Sequence, residues 1–241
     1  MRTIRKRRGE AETPDAAEAT LRRQTLTRKR IVGAALGLLD EVGLDGLTMR
    51  RLAERLEVQA GALYRHVRDK DELLDLLAEA ICAGQQTPDP ALPWREQVQL
   101  LAAGQVRMLR SRRDAARIVA GTPPTGPERL RLIDATLRAL LLGGFSEGAA
   151  MQAAALLNSY VTGLVLEEDL GPAGATGDPA EAPAANAWFA AMASENFPSL
   201  ARVLGGLRDT ATFGPEQRFA FGLDVLLAGL EWQLRHGAAR D

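Results

Sequence analysis

The stretch Thr48–Val67, TMRRLAERLEVQAGALYRHV, decides how the chain is read. Met49, Leu52, Ala53 and Leu56 recur at helical spacing, which leaves Arg50, Arg51, Glu54 and Arg55 on the outer face. Thr48 stands where its hydroxyl can cap the first turn. Val58 falls in a tight turn, and Gln59, Ala60, Gly61 and Ala62 then open a second helix with almost no side-chain bulk. Leu63 and Val67 anchor that helix at i, i+4 spacing, with Tyr64, Arg65 and His66 on or near its exposed side. A small-residue N-terminus lets backbone N–H groups and the positive helix end approach a phosphate, and lets the first residues reach base edges in a major groove. The stretch therefore reads as a helix-turn-helix, although a helical hairpin with a solvated basic face has the same pattern.

Working outward, Thr27 caps a preceding helix whose stripe is Ile31, Ala35, Leu38, Leu39 and Val42, and Gly43 ends it. Thr27 and Arg28 then lie close to a bound phosphate backbone. Asp69 caps a following helix with the stripe Leu73, Leu74, Leu77 and Ile81. The span Ile31–Leu77 carries an Asp45-Gly46-Leu47-Thr48 lead-in, a Leu63-Tyr64-x-His66-Val67 signature and Asp69-Lys70-x-x-Leu73-Leu74. With these motifs it closely resembles the DNA-binding domain of the TetR family of bacterial transcriptional regulators.

Charge supports the same division. Residues 1–70 hold 16 Lys+Arg against 10 Asp+Glu, a balance of +6, and residues 71–241 hold 14 against 21, a balance of −7. A basic head on an acidic body suits a head that binds a polyanion. Residues 1–24, with Arg5-Lys6-Arg7-Arg8, lack apolar periodicity and read as a disordered basic tail that either follows phosphates or is simply solvated. No apolar run reaches the ~18 residues of a membrane span and no signal peptide is visible. With the single Cys82, this points to a cytoplasmic protein without a membrane partner.

Beyond the head, every strong period is helical. Pro93-Trp94 starts a helix at its first position, and Trp94–Arg110 carries an apolar stripe. Arg112–Val119 is short and stops at Gly121-Thr122-Pro123-Pro124. Leu130–Leu142 places Leu130, Ile133, Leu137, Leu140 and Leu141 inside. Residues 147–170 are apolar almost all round, as is much of 215–235, and a helix apolar on every side is covered on every side. Residues 171–183 read as a loop, and 185–204 as one or two short helices around Pro198.

No zinc spacing, nucleophile elbow, phosphate loop or dinucleotide fingerprint occurs, and His66 and His236 are the only histidines. The chain reads as a binding protein, not an enzyme, with neither cofactor nor metal. Trp94, the segment from Arg113-Asp114 to Thr122-x-Pro124, Gly144-Phe145-Ser146 and Gly163-x-Val165-Leu166-Glu167 are similar to the tetracycline-repressor branch of the family. That resemblance implies a pocket for a magnesium–drug complex held by polar side chains and a histidine ligand. Here Gln86, Leu101, Val119 and Thr136 replace the branch's histidine, asparagine, metal-ligand histidine and glutamine, and only Thr122 and Glu167 are kept. Val119 cannot coordinate a metal. The expected effector is therefore largely apolar and free of magnesium. Leu101, Gln105, Met108, Val119, Leu137, Leu140 and Leu141 would line its site, with Gln86, Thr122, Asn158 and Thr162 as polar contacts.

The sequence thus predicts an all-α fold. A helix-turn-helix DNA-binding domain of three helices occupies residues 25–70. A larger ligand-binding and dimerisation domain, 71–241, pairs through an intermolecular four-helix bundle. The implied function is a homodimeric repressor released from a palindromic operator by a small molecule; an activator or an effector-less regulator of the same fold is the alternative. Arg50, Gln59, Tyr64, Arg65 and His66 would meet bases, Ala60, Gly61 and Ala62 would permit close approach, and Thr27, Thr48 and Lys70 would hold phosphates.

Overall fold

The computed structural model describes residues 26–170, 197–206 and 214–236, and among these residues it is all-helical. The basic tail, the loop over 171–183 and most of 185–204 lie outside the described residues. Among the described residues ten helices follow one another. They are α1 Arg28–Gly46, α2 Met49–Arg55, α3 Ala60–Leu63, α4 Lys70–Cys82, α5 Trp94–Arg110, α6 Ala115–Gly121, α7 Pro127–Leu142, α8 Glu147–Leu170, α9 Pro198–Gly206 and α10 Pro215–His236.

Local chemistry sets the head. The Thr27, Thr48 and Asp69 side chains accept from the N–H groups of Arg30, Arg51 and Glu72 at 3.2, 3.2 and 2.8 Å, so all three expected caps form. Gly43, at φ 71, breaks the run of α1, and one more turn follows it. Ile31, Leu39, Leu52, Leu63, Val67, Leu73 and Leu77 are completely buried in one cluster. That cluster runs past residue 70: Ala78 and Ile81 of α4 and Ala115 and Ile118 of α6 belong to it.

The body is built by α5, α7 and α8 packing on one another, with α10 against α8. Its core holds Val106, Leu109, Ala139, Leu140, Phe145, Val161, Val165 and Leu227. Arg110 forks onto Glu168 with two bonds of 2.8 Å, tying α5 to α8. The Tyr160 hydroxyl donates to the carbonyls of Arg218 and Phe219, tying α8 to α10. Residues 147–169 make a helix long and apolar enough to cross a membrane, contrary to the expectation that no such run exists. In this fold Ala150, Ala153, Leu157, Val161 and Val165 pack that helix into the body core.

Several boundaries differ from those expected: α1 runs past Gly43 to Gly46, and α3 stops at Leu63, short of Val67. Pro93 sits at the N-cap of α5, one residue before the first helical position. Asp114 adopts the left-handed conformation at φ 57, which keeps the chain from turning helical before Ala115. Helix α7 begins three residues early, because the Glu79 carboxylate of α4 accepts from the N–H groups of Glu128 and Arg129 at 2.8 and 3.2 Å. Leu130 and Leu141, expected inside, are 49% and 46% exposed.

Candidate functional site

Two sites emerge, one on the head and one inside the body. On the head, Gln59, Ala60, Gly61, Tyr64 and Arg65 are exposed, His66 is half-buried, and Arg50 and Lys70 reach solvent at the flanks. Gln59 caps α3 without a side-chain bond, and a Cβ on Gly61 would meet open space. The face is thus bare backbone flanked by polar groups, shaped for close approach. Arg50 lies along Glu54 at 3.0 Å. The Thr27 and Thr48 hydroxyls serve as caps at the starts of α1 and α2, where free N–H groups gather.

Within the head, Arg28 links three segments. Its Nε donates to the His66 carbonyl at 2.9 Å and its guanidinium meets Glu72 at 2.9 Å, tying the turn after α3 to α1 and α4. The Glu72 carboxylate also accepts from the Arg68 N–H at 2.7 Å, and that backbone bond, with the Arg68 guanidinium, holds Glu72 below its ordinary value. The tie of Glu72 to α1 left no signal in the sequence because Arg28 lies 44 positions away.

Inside the body, a cavity of about 390 Å³ opens between α4, α5, α6, α7 and α8. Leu101, Gln105, Met108, Val119, Thr122, Thr136, Asn158 and Thr162 line it, all named from sequence. Gln86, Leu137, Leu140, Leu141 and Glu167 do not. Helix phase explains the leucines: α7 turns Arg129, Leu132, Ile133 and Thr136 to the cavity, so Leu140 faces the body core and Leu141 faces outward. Beyond α4 it is Gln85 that turns in, donating to the Leu101 carbonyl at 3.3 Å, while Gln86 is exposed. Glu167 lies past the cavity and pairs with Arg218 at 2.5 Å.

Arg129 is a wall residue the sequence reading missed. Its guanidinium donates to the carbonyls of Val119, Thr122 and Pro123 and to the Thr122 hydroxyl, at 2.8–3.0 Å, and so holds the end of α6. A helix-terminal carbonyl cluster with a cation six to ten sequence positions away leaves no periodic signal. Cys82 also lines the cavity, and burial pushes its thiol up to about 11, which keeps it protonated and unreactive.

The opposite end of α6 grips the head. Asp114 accepts from the Leu44 N–H at 2.7 Å, Arg117 spans Asp114 and Asp45 at 3.0 Å each, and Arg112 meets Asp40 at 2.6 Å. The Arg117 guanidinium holds the Asp45 carboxyl below its ordinary value. At Gly43 a Cβ would fall 2.9 Å from both Arg113 Nε and Asp114 Oδ2. Helix α6 therefore touches the cavity with Val119, Ala120 and Thr122 and the head with Arg117 and the preceding Asp114.

Away from the cavity on α8 and α10, Leu156, Phe221, Val225 and Trp232 are 48–75% exposed. They were read as covered; within a single chain they are not.

Comparison with known proteins agrees with this architecture. The family model "Bacterial regulatory proteins, tetR family" matches residues 31–77, and "Tetracyclin repressor-like, C-terminal domain" matches residues 87–234. The class C tetracycline repressor protein of Escherichia coli is 37% identical over 209 residues, covering 86% of this chain and 91% of that protein. The crystal structure of the Streptomyces coelicolor TetR family protein ActR with actinorhodin superposes with a TM-score of 0.76 at 34% identity, over 87% of this chain and 99% of that one. Class A TetR with 5a,6-anhydrotetracycline and magnesium gives 0.60 at 36% identity, over 86% and 98%.

Proposed function

The chain belongs to the TetR family of bacterial regulatory proteins, and we propose that it acts as a homodimer whose paired heads read a near-palindromic operator in the cytoplasm. It is a DNA-binding, effector-responsive transcriptional repressor, a regulator and not an enzyme. Residues 25–70 act as the reading head and 71–241 as the effector and pairing domain. The apolar outer faces of α8 and α10 support the pairing, since two helices from each chain make a four-helix bundle. One head gives weak affinity, and two heads fixed at the spacing of successive major grooves multiply it.

On the operator, Gln59, Tyr64, Arg65, His66 and a released Arg50 contact bases. The bare Ala60-Gly61-Ala62 turn brings the backbone close, and Thr27, Thr48 and Lys70 hold phosphates. The effector occupies the cavity. Its lining contains no carboxylate and no imidazole, the groups that bind magnesium or steady a magnesium–drug complex, so a metal-borne ligand does not fit and the effector is a largely apolar, metal-free molecule.

A single observation carries the coupling: α6 is both cavity wall and head clasp. A ligand that displaces Val119 or Thr122 moves Asp114 and Arg117 with them, and these hold Leu44 and Asp45 just ahead of the reading helices. Ligand then favours the arrangement that fits DNA badly, and operator must lower ligand affinity by the same factor.

Fluorescence anisotropy with DNA from upstream of the protein's own gene tests this reading, at about 50 and about 200 mM salt. Saturable binding that weakens by an order of magnitude or more at the higher salt supports it. Binding no tighter than to random DNA at both salts contradicts it.

A further inference from the structure

Helix α7 starts without a cap of its own. Its N-cap is Gly126, which has no side chain, and Pro127 at the next position has no N–H to offer. The free donors of its first turn are the N–H groups of Glu128 and Arg129. One side chain from another helix takes both: Glu79 of α4 accepts from Glu128 on Oε2 at 2.8 Å and from Arg129 on Oε1 at 3.2 Å. A carboxylate is also the charge that a helix N-terminus favours. The glycine is what admits it, because a Cβ at Gly126 would run into Glu79 Cδ.

The same turn gathers two more ties. Arg131 donates to the Gln85 carbonyl, just past α4, at 2.8 Å, and Arg129 holds the Val119 and Thr122 carbonyls at the end of α6 at 2.9 Å each. The ends of α4 and α6 and the start of α7 therefore meet at one place. Among the described residues, Glu79 makes the hydrogen bonds that join α4 itself to α7. With α6, in contrast, α4 shares an apolar cluster of Leu77, Ala78, Ile81, Ala115 and Ile118. Apolar contact is non-directional and resists separation more than it resists sliding or rotation. A pair of hydrogen bonds fixes both.

At its other end α4 belongs to the head. Asp69 caps it directly after the reading turn, and Glu72 in its first turn binds Arg28 of α1 and the Arg68 N–H. The helix is thus fastened to the head at Glu72 and to the body at Glu79, points roughly 10 Å apart along its axis. Where α7 holds Glu79, the head follows.

We propose that Glu79 is a positioning residue for operator reading. By capping α7 it sets the axial and rotational seat of α4 on the body, and so fixes where each head stands when two chains span an operator. This inference rests on the paired-head reading above and adds a joint distinct from the clasp of Asp114 and Arg117. A cap alone would matter only to stability. A seat for α4 matters to sequence discrimination, because specific binding needs both heads in place while non-specific binding needs only charge.

Glu79→Ala, alone and combined with Gly126→Ser, separates the two roles in the full-length protein. Gly126 lies at φ −93 and ψ 161, the extended backbone of an ordinary N-cap, so the Gly126→Ser hydroxyl caps α7 from its own chain once the glutamate is gone. The melting temperature should fall by about 2–6 °C in Glu79→Ala and recover most of that in the double variant. Discrimination should not recover. The ratio of affinities for DNA from upstream of the protein's own gene and for random DNA, read by fluorescence anisotropy, should fall about tenfold in both variants, with random DNA bound as by the wild type. Amide exchange over residues 76–83 should be about threefold or more faster in both. A double variant that regains discrimination and slow exchange together with stability overturns the proposal and leaves Glu79 a cap. Discrimination at the wild-type level in Glu79→Ala overturns it too. A wild type that binds the two DNAs alike overturns the paired-head reading instead, and amide exchange then decides the seat of α4 by the same criterion.

Discussion

The head and the body are finished to different degrees. Around α1–α4, closed off by Ala115 and Ile118 of α6, the apolar residues form one complete core, and Ile31, Leu39, Leu52, Leu63, Leu73 and Leu77 are all completely buried. In the body, α8 and α10 each bury one face and leave another bare, with Phe221 75% and Trp232 55% exposed. A cavity of about 390 Å³ opens between α4 and α8. A unit that must present one rigid surface to DNA benefits from a complete core. On the proposed reading, a unit that pairs with its copy and admits a ligand has to remain incomplete until both arrive.

The sharpest way to break this contrast is to charge the bare face. Phe221→Asp should yield a monomer by sedimentation velocity and cost operator affinity about a hundredfold or more, because paired binding is lost with the dimer. The same charge on a surface that no partner covers would leave both properties unchanged. Leu73→Ala tests the other half: truncating a completely buried side chain should destabilise the head by about 2–5 kcal/mol in chemical denaturation. A cost below about 1 kcal/mol would mean that the head core is looser than it looks.

These contrasts were unequally legible in the sequence. Caps at Thr27, Thr48 and Asp69 and the stripes of α1, α2 and α4 could be read because each depends on residues a few positions apart. The cavity could be placed on the right helices, and Leu101, Gln105, Met108, Val119, Thr122, Thr136, Asn158 and Thr162 line it as read. Its α7 wall could not be phased: Leu137, Leu140 and Leu141 are as apolar as Leu132 and Ile133, and only packing against α5 and α8 decides which set faces in. The substitution of Gln85 for Gln86 turns on a backbone angle after α4, and the roles of Arg129, Glu79 and Arg117 depend on partners from other elements.

The joint between the two regions gives a pH prediction. Arg117 lowers the Asp45 carboxyl below its ordinary value of 3.8, so the folded state holds Asp45 ionised where the unfolded chain begins to protonate. The contribution is therefore complete above that ordinary value and is lost as pH falls through the lowered one. Asp45→Asn should flatten the acid limb of the stability profile and weaken coupling between effector and operator while the protein remains folded. An unchanged acid limb would place the joint elsewhere.

Smaller effects test details of the head. Arg65→Ala should weaken operator binding by about 1–3 kcal/mol if Arg65 reads a base, and lower the salt slope by about one if it meets only a phosphate. An affinity and slope both unchanged would remove Arg65 from the interface. The turn before α3 holds Glu57 at φ 56, a left-handed conformation that costs a side-chain-bearing residue about 1 kcal/mol. Glu57→Gly should raise head stability by up to about 1 kcal/mol, and a loss would show that the Glu57 side chain contributes more than its backbone strain costs.

The central claim is that a complete head is put to use through an incomplete body. Sedimentation velocity of the full-length protein with operator DNA, beside Phe221→Asp, tests it most directly. The account predicts two chains per operator for the wild type and a free monomer with no stable complex for the variant. A stable complex of one chain per operator, or a variant that still pairs and binds like the wild type, would contradict it.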